Sequence, residues 1–164
     1  MFKRLKTINL LLAITIALFA FACNKGDDYV PRTPEMEAAE LQQLLDQIDE
    51  SGDEVFTTDL GIYYLVDSLG DGDLVQMGDT CNLEYVGYLT NGSIFDAGTL
   101  DFAYMDPEYP LIPGFEDGIG VMNKGARITM IIPSDLAYGS GKGPIPPYST
   151  LIFYTEMHDV KPLL

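Results

Sequence analysis

Few residues in this chain are suited to covalent chemistry. Among 164 residues there is one histidine, His158, and there are two cysteines, Cys23 and Cys81. That scarcity removes most nucleophile–histidine–acid triads and leaves no Cys and His spacing for zinc. Asp67, Asp71 and Asp73 suggest a calcium loop, but they lack the full set of oxygen ligands, and a turn over Gly70 to Asp73 accounts for them. The richer signal is an ordered series of apolar and aromatic residues with a few polar ones among them: Tyr85, then Phe95 and Asp96, Leu111 and Ile112 ahead of Gly114 and Phe115, Leu136 to Gly139, Ile145 to Pro147, and Phe153. Residues of these types pack a core or wall an apolar hollow, and in either place they supply no strong nucleophile. Taken singly, an aromatic in a half-buried strand belongs to the core. Tyr138 fits that reading least, because it stands on a glycine-flanked loop, where aromatics tend to serve contact.

The elements that must position these residues are mostly strands. From Glu54 onward, Ile62 to Leu69, Thr80 to Leu89, Arg127 to Ile132 and Leu151 to Val160 are apolar or alternating runs bounded by Gly, Asp and Asn, with turns at Gly70 to Asp73 and Asn91-Gly92. Helical pattern in this region is confined to Gly114 to Met122. Runs of strands with one helix predict an α+β fold. Cys81 alternates with Leu83 and Tyr85 and is expected as a buried strand residue rather than a reactive thiol. Ahead of the strands, Thr33 can cap a helix, Pro34 suits its first position, and Leu41, Leu44, Leu45 and Ile48 recur at helical spacing until Ser51-Gly52. The apolar stripe of that helix is expected to dock on its own domain, with a partner helix as the alternative.

In their order, these motifs resemble those of the FKBP-type peptidyl-prolyl isomerases. Glu84-Tyr85-Val86-Gly87-Tyr88-Leu89, followed by Asn91-Gly92-Ser93-Ile94-Phe95-Asp96, is similar to the family's Tyr-Thr-Gly-x-Leu strand, its turn and its Phe-Asp pair. Leu111 to Gly118 is similar to Val-Ile-x-Gly-Trp-x-x-Gly, and Met122 with Gly125 fits the Met-x-x-Gly that follows. Ile132 to Gly139, Ile145-Pro146-Pro147 and Thr150 to Phe153 complete the series. The resemblance implies an FKBP-like twisted antiparallel sheet wrapped around one short helix, with a pocket between them. It implies Tyr85, Asp96 and Tyr138 as catalytic groups. It implies Phe95, Phe102, Leu111, Ile112, Phe115, Ile145 and Phe153 as the walls that hold substrate, with Phe115 as the floor. In that scheme the Tyr138 hydroxyl and the Ile112 N–H hold substrate carbonyls, Asp96 polarises the site, and neither cofactor nor metal takes part.

The implied reaction breaks no bond. Rotation about an Xaa-Pro amide meets a barrier of about 18 to 20 kcal/mol because resonance is lost as the bond twists, and uncatalysed exchange takes tens of seconds or more. A catalyst must therefore bind the twisted amide better than either planar form. A dry aromatic cup does so by holding the prolyl ring where the twisted carbonyl, with its reduced charge separation, is less penalised than in water. Four departures from the family pattern bear on this. Phe115 stands where Trp is usual, Pro110 and Pro113 stand where polar residues are usual, Pro144 replaces an apolar rim residue, and the loop between Tyr138 and Ile145 is shorter than in the small single-domain members.

The formal net charge of −16 argues against nucleic acid and anionic membrane faces as partners, since neutralising phosphates needs clustered Lys and Arg. The length suits one domain with appendages. Lys3, Arg4 and Lys6 precede an almost wholly apolar run, Ile8 to Ala22, that ends at Cys23; the run is too short for a comfortable membrane span and is read as a targeting segment. It resembles a bacterial lipoprotein signal. That implies a signal peptide over residues 1–22 and lipidation of Cys23, with an ordinary secretory signal as the alternative. Residues 23–53 then form tether and amphipathic helix, and 54–164 the FKBP-like domain. With lipid on Cys23, Cys81 has no disulfide partner. Asn24 directly after the cysteine is similar to an outer-membrane lipoprotein address, and Asp27-Asp28 resemble the surface-export signals of Bacteroidetes-type lipoproteins, with a plain spacer as the alternative. The expected place is the bacterial cell envelope, anchored at the outer membrane and facing periplasm or surface. Two functions stand. One is a lipid-tethered isomerase that binds proline-containing segments of exported proteins and assists their folding; the other is a non-catalytic peptide-binding module of an envelope assembly.

Overall fold

The computed structural model describes residues 31–163. Helix α1 (Pro34–Ser51) opens with the Thr33 hydroxyl accepting from the Met36 N–H and with Pro34 in the first turn, and it closes at Gly52, whose φ of 75° is the left-handed conformation glycine tolerates. Six strands follow: β1 (Phe56–Thr57), β2 (Tyr63–Ser68), β3 (Thr80–Leu89), β4 (Ile94–Ala103), β5 (Arg127–Ile132) and β6 (Leu151–Lys161), with helix α2 (Pro113–Ile119) between β4 and β5. They form one sheet in the order β1-β2-β5-β6-β3-β4, antiparallel at every pairing. Strands β3 and β5 keep the bounds that the alternation predicts. Two strands were not expected from the pattern: β1, only two residues long, and β4, an edge strand whose residues are mostly exposed.

Alternation along β5 and β6 gives the sheet two different faces. Ile128, Met130 and Ile132, with Leu151, Phe153 and Met157, point into the main core, where Phe115 and Ile119 of α2 meet them. Ile131 and Ile152 point the other way and meet Leu44 and Ile48 of α1. The amphipathic helix thus docks on its own sheet. Burial of Leu44 and Ile48 contributes about 1.5–3 kcal/mol each by area.

Helix α2 has seven residues, too short to be stable alone in water, so packing must hold it. Gly114 and Gly118, four residues apart, let it lie close on the sheet: a Cβ at Gly114 would come 2.4 Å from Ile132 Cγ2, and one at Gly118 would come 2.5 Å from Met130 Sδ. Phe115 and Ile119 occupy the neighbouring stripe and are buried. The Thr58 hydroxyl donates to the Asp117 carboxylate and ties the helix to the turn ahead of β2.

Candidate active site

A hollow of about 360 Å³ opens on the α2 side of the sheet, lined by Tyr85, Phe95, Asp96, Leu100, Pro110, Leu111, Ile112, Pro113, Phe115, Tyr138, Lys142 and Phe153. Four rings make its body. Phe115 and Phe153 are tilted at a centroid separation of 4.8 Å, Tyr85 stands edge-on to Phe115 at 5.9 Å, and Phe95 stands edge-on to Phe153 at 5.5 Å. Edge-to-face pairs of this kind are preferred by ring quadrupoles and fix each ring against the next. Phe115 is 4% exposed and Phe153 5%, so these two form the deep part.

The sequence positions each ring for local reasons. The Asn91-Gly92 turn, with Gly92 at φ 82°, folds β4 back on β3 and sets Asp96 across from Gly87 and Gly98 across from Tyr85. Gly87 leaves the space that the Phe95 ring uses, since a Cβ there would lie 2.6 Å from Phe95 Cζ. Ile112 is the N-cap residue of α2, and its carbonyl accepts from the N–H groups of Phe115 (3.0 Å) and Glu116 (3.1 Å). The Glu116 carboxylate accepts from the Leu111 N–H at 3.3 Å. No acceptor for the Ile112 N–H stands among the described residues.

Four polar side chains, Tyr85, Asp96, Tyr138 and Lys142, stand among the lining residues. The Tyr85 hydroxyl donates to Asp96 Oδ2 at 2.9 Å, and the Ala97 N–H donates to Asp96 Oδ1 at 2.9 Å, so both carboxylate oxygens are engaged. Burial first, then the hydrogen bond and charge of Asp96, push the Tyr85 phenol up to about 12. Burial and then the Asp96 charge also raise Tyr138 above the usual phenol range. Both hydroxyls therefore keep their protons at neutral pH and remain donors. Lys142 Nζ lies 5.1 Å from the Tyr138 ring centroid, a cation–π arrangement.

Eight of the ten residues expected at the site line the hollow: Tyr85, Phe95, Asp96, Leu111, Ile112, Phe115, Tyr138 and Phe153. Phe102 and Ile145 do not. Phe102 pairs across from Cys81, well along β4 from the rim, and packs on the main core. Ile145 is 7% exposed and belongs to that core. Leu100, Pro110, Pro113 and Lys142 join the lining instead. Leu100 carries no signal, since the pattern does not predict β4 itself, whereas the prolines flank the Leu111-Ile112 pair and Lys142 stands in the Gly-rich loop after Tyr138.

Residues 72–158 match the family of FKBP-type peptidyl-prolyl cis-trans isomerases. The chain belongs to that family. A Haemophilus influenzae protein named "Probable FKBP-type peptidyl-prolyl cis-trans isomerase" is 34% identical over 137 residues, covering 76% of this chain and 57% of the relative. FkpA of Escherichia coli, an FKBP-type peptidyl-prolyl cis-trans isomerase, is 39% identical over 116 residues, covering 66% of this chain and 41% of the relative. The chain thus spans about half the length of these curated relatives. A crystal structure of a peptidyl-prolyl cis-trans isomerase from Pseudomonas syringae pv. tomato superposes with a TM-score of 0.68 at 27% identity, covering 82% of this chain and 100% of that one. The α+β architecture described above is accordingly FKBP-like.

Other expectations fall away from the FKBP site. Cys81 is a fully buried strand residue, and burial, with the Asp79 charge second, pushes its thiol up to about 11. Asp67 and Asp71 serve separate local bonds, Asp67 with the Thr129 hydroxyl at 3.1 Å and Asp71 with the Gly72 N–H at 2.9 Å. No helix among the described residues is long and apolar enough to cross a membrane. Cys23, with the segment expected as signal peptide and most of the expected tether, lies outside the described residues.

Proposed function

We propose that this protein is a peptidyl-prolyl cis-trans isomerase of the FKBP type that assists the folding of exported proteins from a lipid anchor in the bacterial envelope. The observation that carries the reading is the open hollow whose deep wall is Phe115 against Phe153, with Tyr85 and Phe95 edge-on around them and a hydroxyl donor, Tyr138, at the mouth. A prolyl ring seated on Phe115 leaves its amide at the rim. There Tyr138 donates to a substrate carbonyl and the Ile112 N–H to another, while Asp96, fixed by Tyr85 and Ala97, sets the local field. These contacts favour the twisted amide as long as the ring stays out of water.

The client is a proline-containing segment of an exported polypeptide, and the Cys23 anchor holds the domain at the outer membrane. Support for the location comes from the leader and the residues after Cys23. A protease-coupled assay with an Xaa-Pro peptide tests the activity. Acceleration by the wild type that is lost in a Tyr138→Phe, Phe115→Ala double variant supports the isomerase. One observation favours the second reading, a peptide-binding module without catalysis: Pro110 and Pro113 line the hollow beside a phenyl rather than an indole floor. A folded wild type that binds the peptide and leaves its relaxation rate unchanged would establish that module.

A further inference from the structure

Glu37 sits in the first turn of α1, a place where a carboxylate ordinarily meets water, yet it is 8% exposed. Its Oε1 accepts from the Ser134 N–H at 2.7 Å and from the Thr150 hydroxyl at 3.0 Å, and its Oε2 accepts from the Ser134 hydroxyl at 2.5 Å. Ser134 and Thr150 are the two roots of the connection from β5 to β6, and that connection carries Tyr138 and Lys142 to the hollow. A carboxylate is the side chain that can accept from all three donors at once. An amide keeps one carbonyl oxygen for the Ser134 N–H and the Thr150 hydroxyl, but in place of the second oxygen it sets an NH2 that can only donate to the Ser134 hydroxyl. That reverses the third bond and removes the charge that strengthens all three.

The bonds continue to the site. The Ser134 carbonyl accepts from the N–H groups of Ala137 (3.0 Å) and Gly139 (2.8 Å), the two neighbours of Tyr138. The Gly139 carbonyl accepts from the Tyr148 N–H at 2.8 Å. The carbonyls of Pro147 and Tyr148 accept in turn from the Arg32 guanidinium at 3.1 and 3.0 Å, and Arg32 is itself bidentate on Glu40 of α1 at 3.0 and 2.7 Å. Backbone on both sides of Tyr138 is therefore fixed from a helix that contributes no residue to the hollow.

We propose that Glu37 is a positioning residue of the site: its buried carboxylate, carried by α1, sets where the Tyr138 hydroxyl stands over the hollow, with Arg32 as the outer strut. This rests on the isomerase reading above. Without the acceptor, Ser134 and Thr150 lose their shared anchor, the turn at Ser134–Leu136 relaxes, and Tyr138 moves relative to Phe115.

The test uses the full chain with Glu37→Gln, Tyr138→Phe and the double variant. Each is measured for kcat/KM on an Xaa-Pro peptide at a temperature where circular dichroism shows it folded, and for hydrogen exchange at individual amides. Glu37→Gln lowers kcat/KM about tenfold, short of the roughly 10²-fold that a misplacement of about 1 Å can cost. The double variant is no slower than Tyr138→Phe alone, because both losses run through one hydroxyl. Exchange quickens at Ala137 and Gly139 while the β3–β6 amides stay as in the wild type. Multiplying losses in the double variant, or a folded Glu37→Gln with unchanged rate and unchanged exchange, would overturn the proposal. If Glu37→Gln does not fold, Arg32→Gln with the same readouts decides it. A wild type that fails to accelerate the peptide counts against the isomerase reading, and exchange at Ala137 and Gly139 then decides the brace by itself.

Discussion

Gly87→Ala is the smallest change that reaches the hollow. The added Cβ would stand 2.6 Å from Phe95 Cζ and 3.0 Å from both Cε atoms, where non-bonded carbons settle at about 3.5–4.0 Å. The ring must therefore retreat by roughly 1 Å. Phe153 blocks one route, since its centroid is already 5.5 Å away, edge-on, so Phe95 swings outward with edge strand β4. Overpacking costs about 1–3 kcal/mol; the low end applies here, because Phe95 is half-exposed and its edge strand can yield. Thermal melting should drop by roughly 4 °C, a modest loss. Activity should fall further, by up to about 10²-fold for a wall displaced about 1 Å, and Phe95→Leu in the same chain should restore part of it by vacating the clash. Melting curves and kcat/KM on an Xaa-Pro peptide measure both. A Gly87→Ala protein that folds and isomerises like the wild type would show that Phe95 is not a wall of the site.

Gly118→Ala places a Cβ 2.5 Å from Met130 Sδ and 2.9 Å from Ile62 Cδ1, so α2 must lift, and we expect a loss of about 1–3 kcal/mol in denaturant unfolding with a larger relative loss of activity. Alkali should destabilise the fold. Tyr85 and Cys81 are pushed up to about 12 and about 11 against unfolded values of about 10 and 8.5; the native state holds these protons longer, so stability is full below about pH 8.5 and declines as pH rises toward about 12. A melting temperature that stays level or climbs over that range would contradict the burial of these groups. Cys23→Ser should move the protein from the membrane fraction to the soluble one, and unchanged partition would reject lipidation there.

Much of the fold was legible because burial and alternation coincide in the strands that face both cores. β3 and β5 begin and end where the pattern changes. β4 was illegible for the opposite reason: as an edge strand its pairing comes from the β3 backbone, and Asp96, Ala97, Gly98, Thr99 and Asp101 are exposed. Helix α2 runs Pro113–Ile119 rather than to Met122, because the Met122 N–H bonds to the Ile119 carbonyl in a turn after Gly120. The rings of the hollow could be found from motif order. That Phe102 stands outside the lining of the hollow needs the register that sets it opposite Cys81. Glu37 carried no signal, since a first-turn acid on a helix is ordinary and Ser134 is 97 residues away.

Whether the ring-lined hollow favours a twisted prolyl amide can be read directly, without a coupling protease, by NMR exchange spectroscopy on an Xaa-Pro peptide with substoichiometric protein. Cis–trans exchange is expected far faster than the uncatalysed tens of seconds, and Phe115→Ala should abolish the acceleration in a chain that still folds. Peptide resonances that shift on binding while their exchange keeps the uncatalysed rate would contradict it.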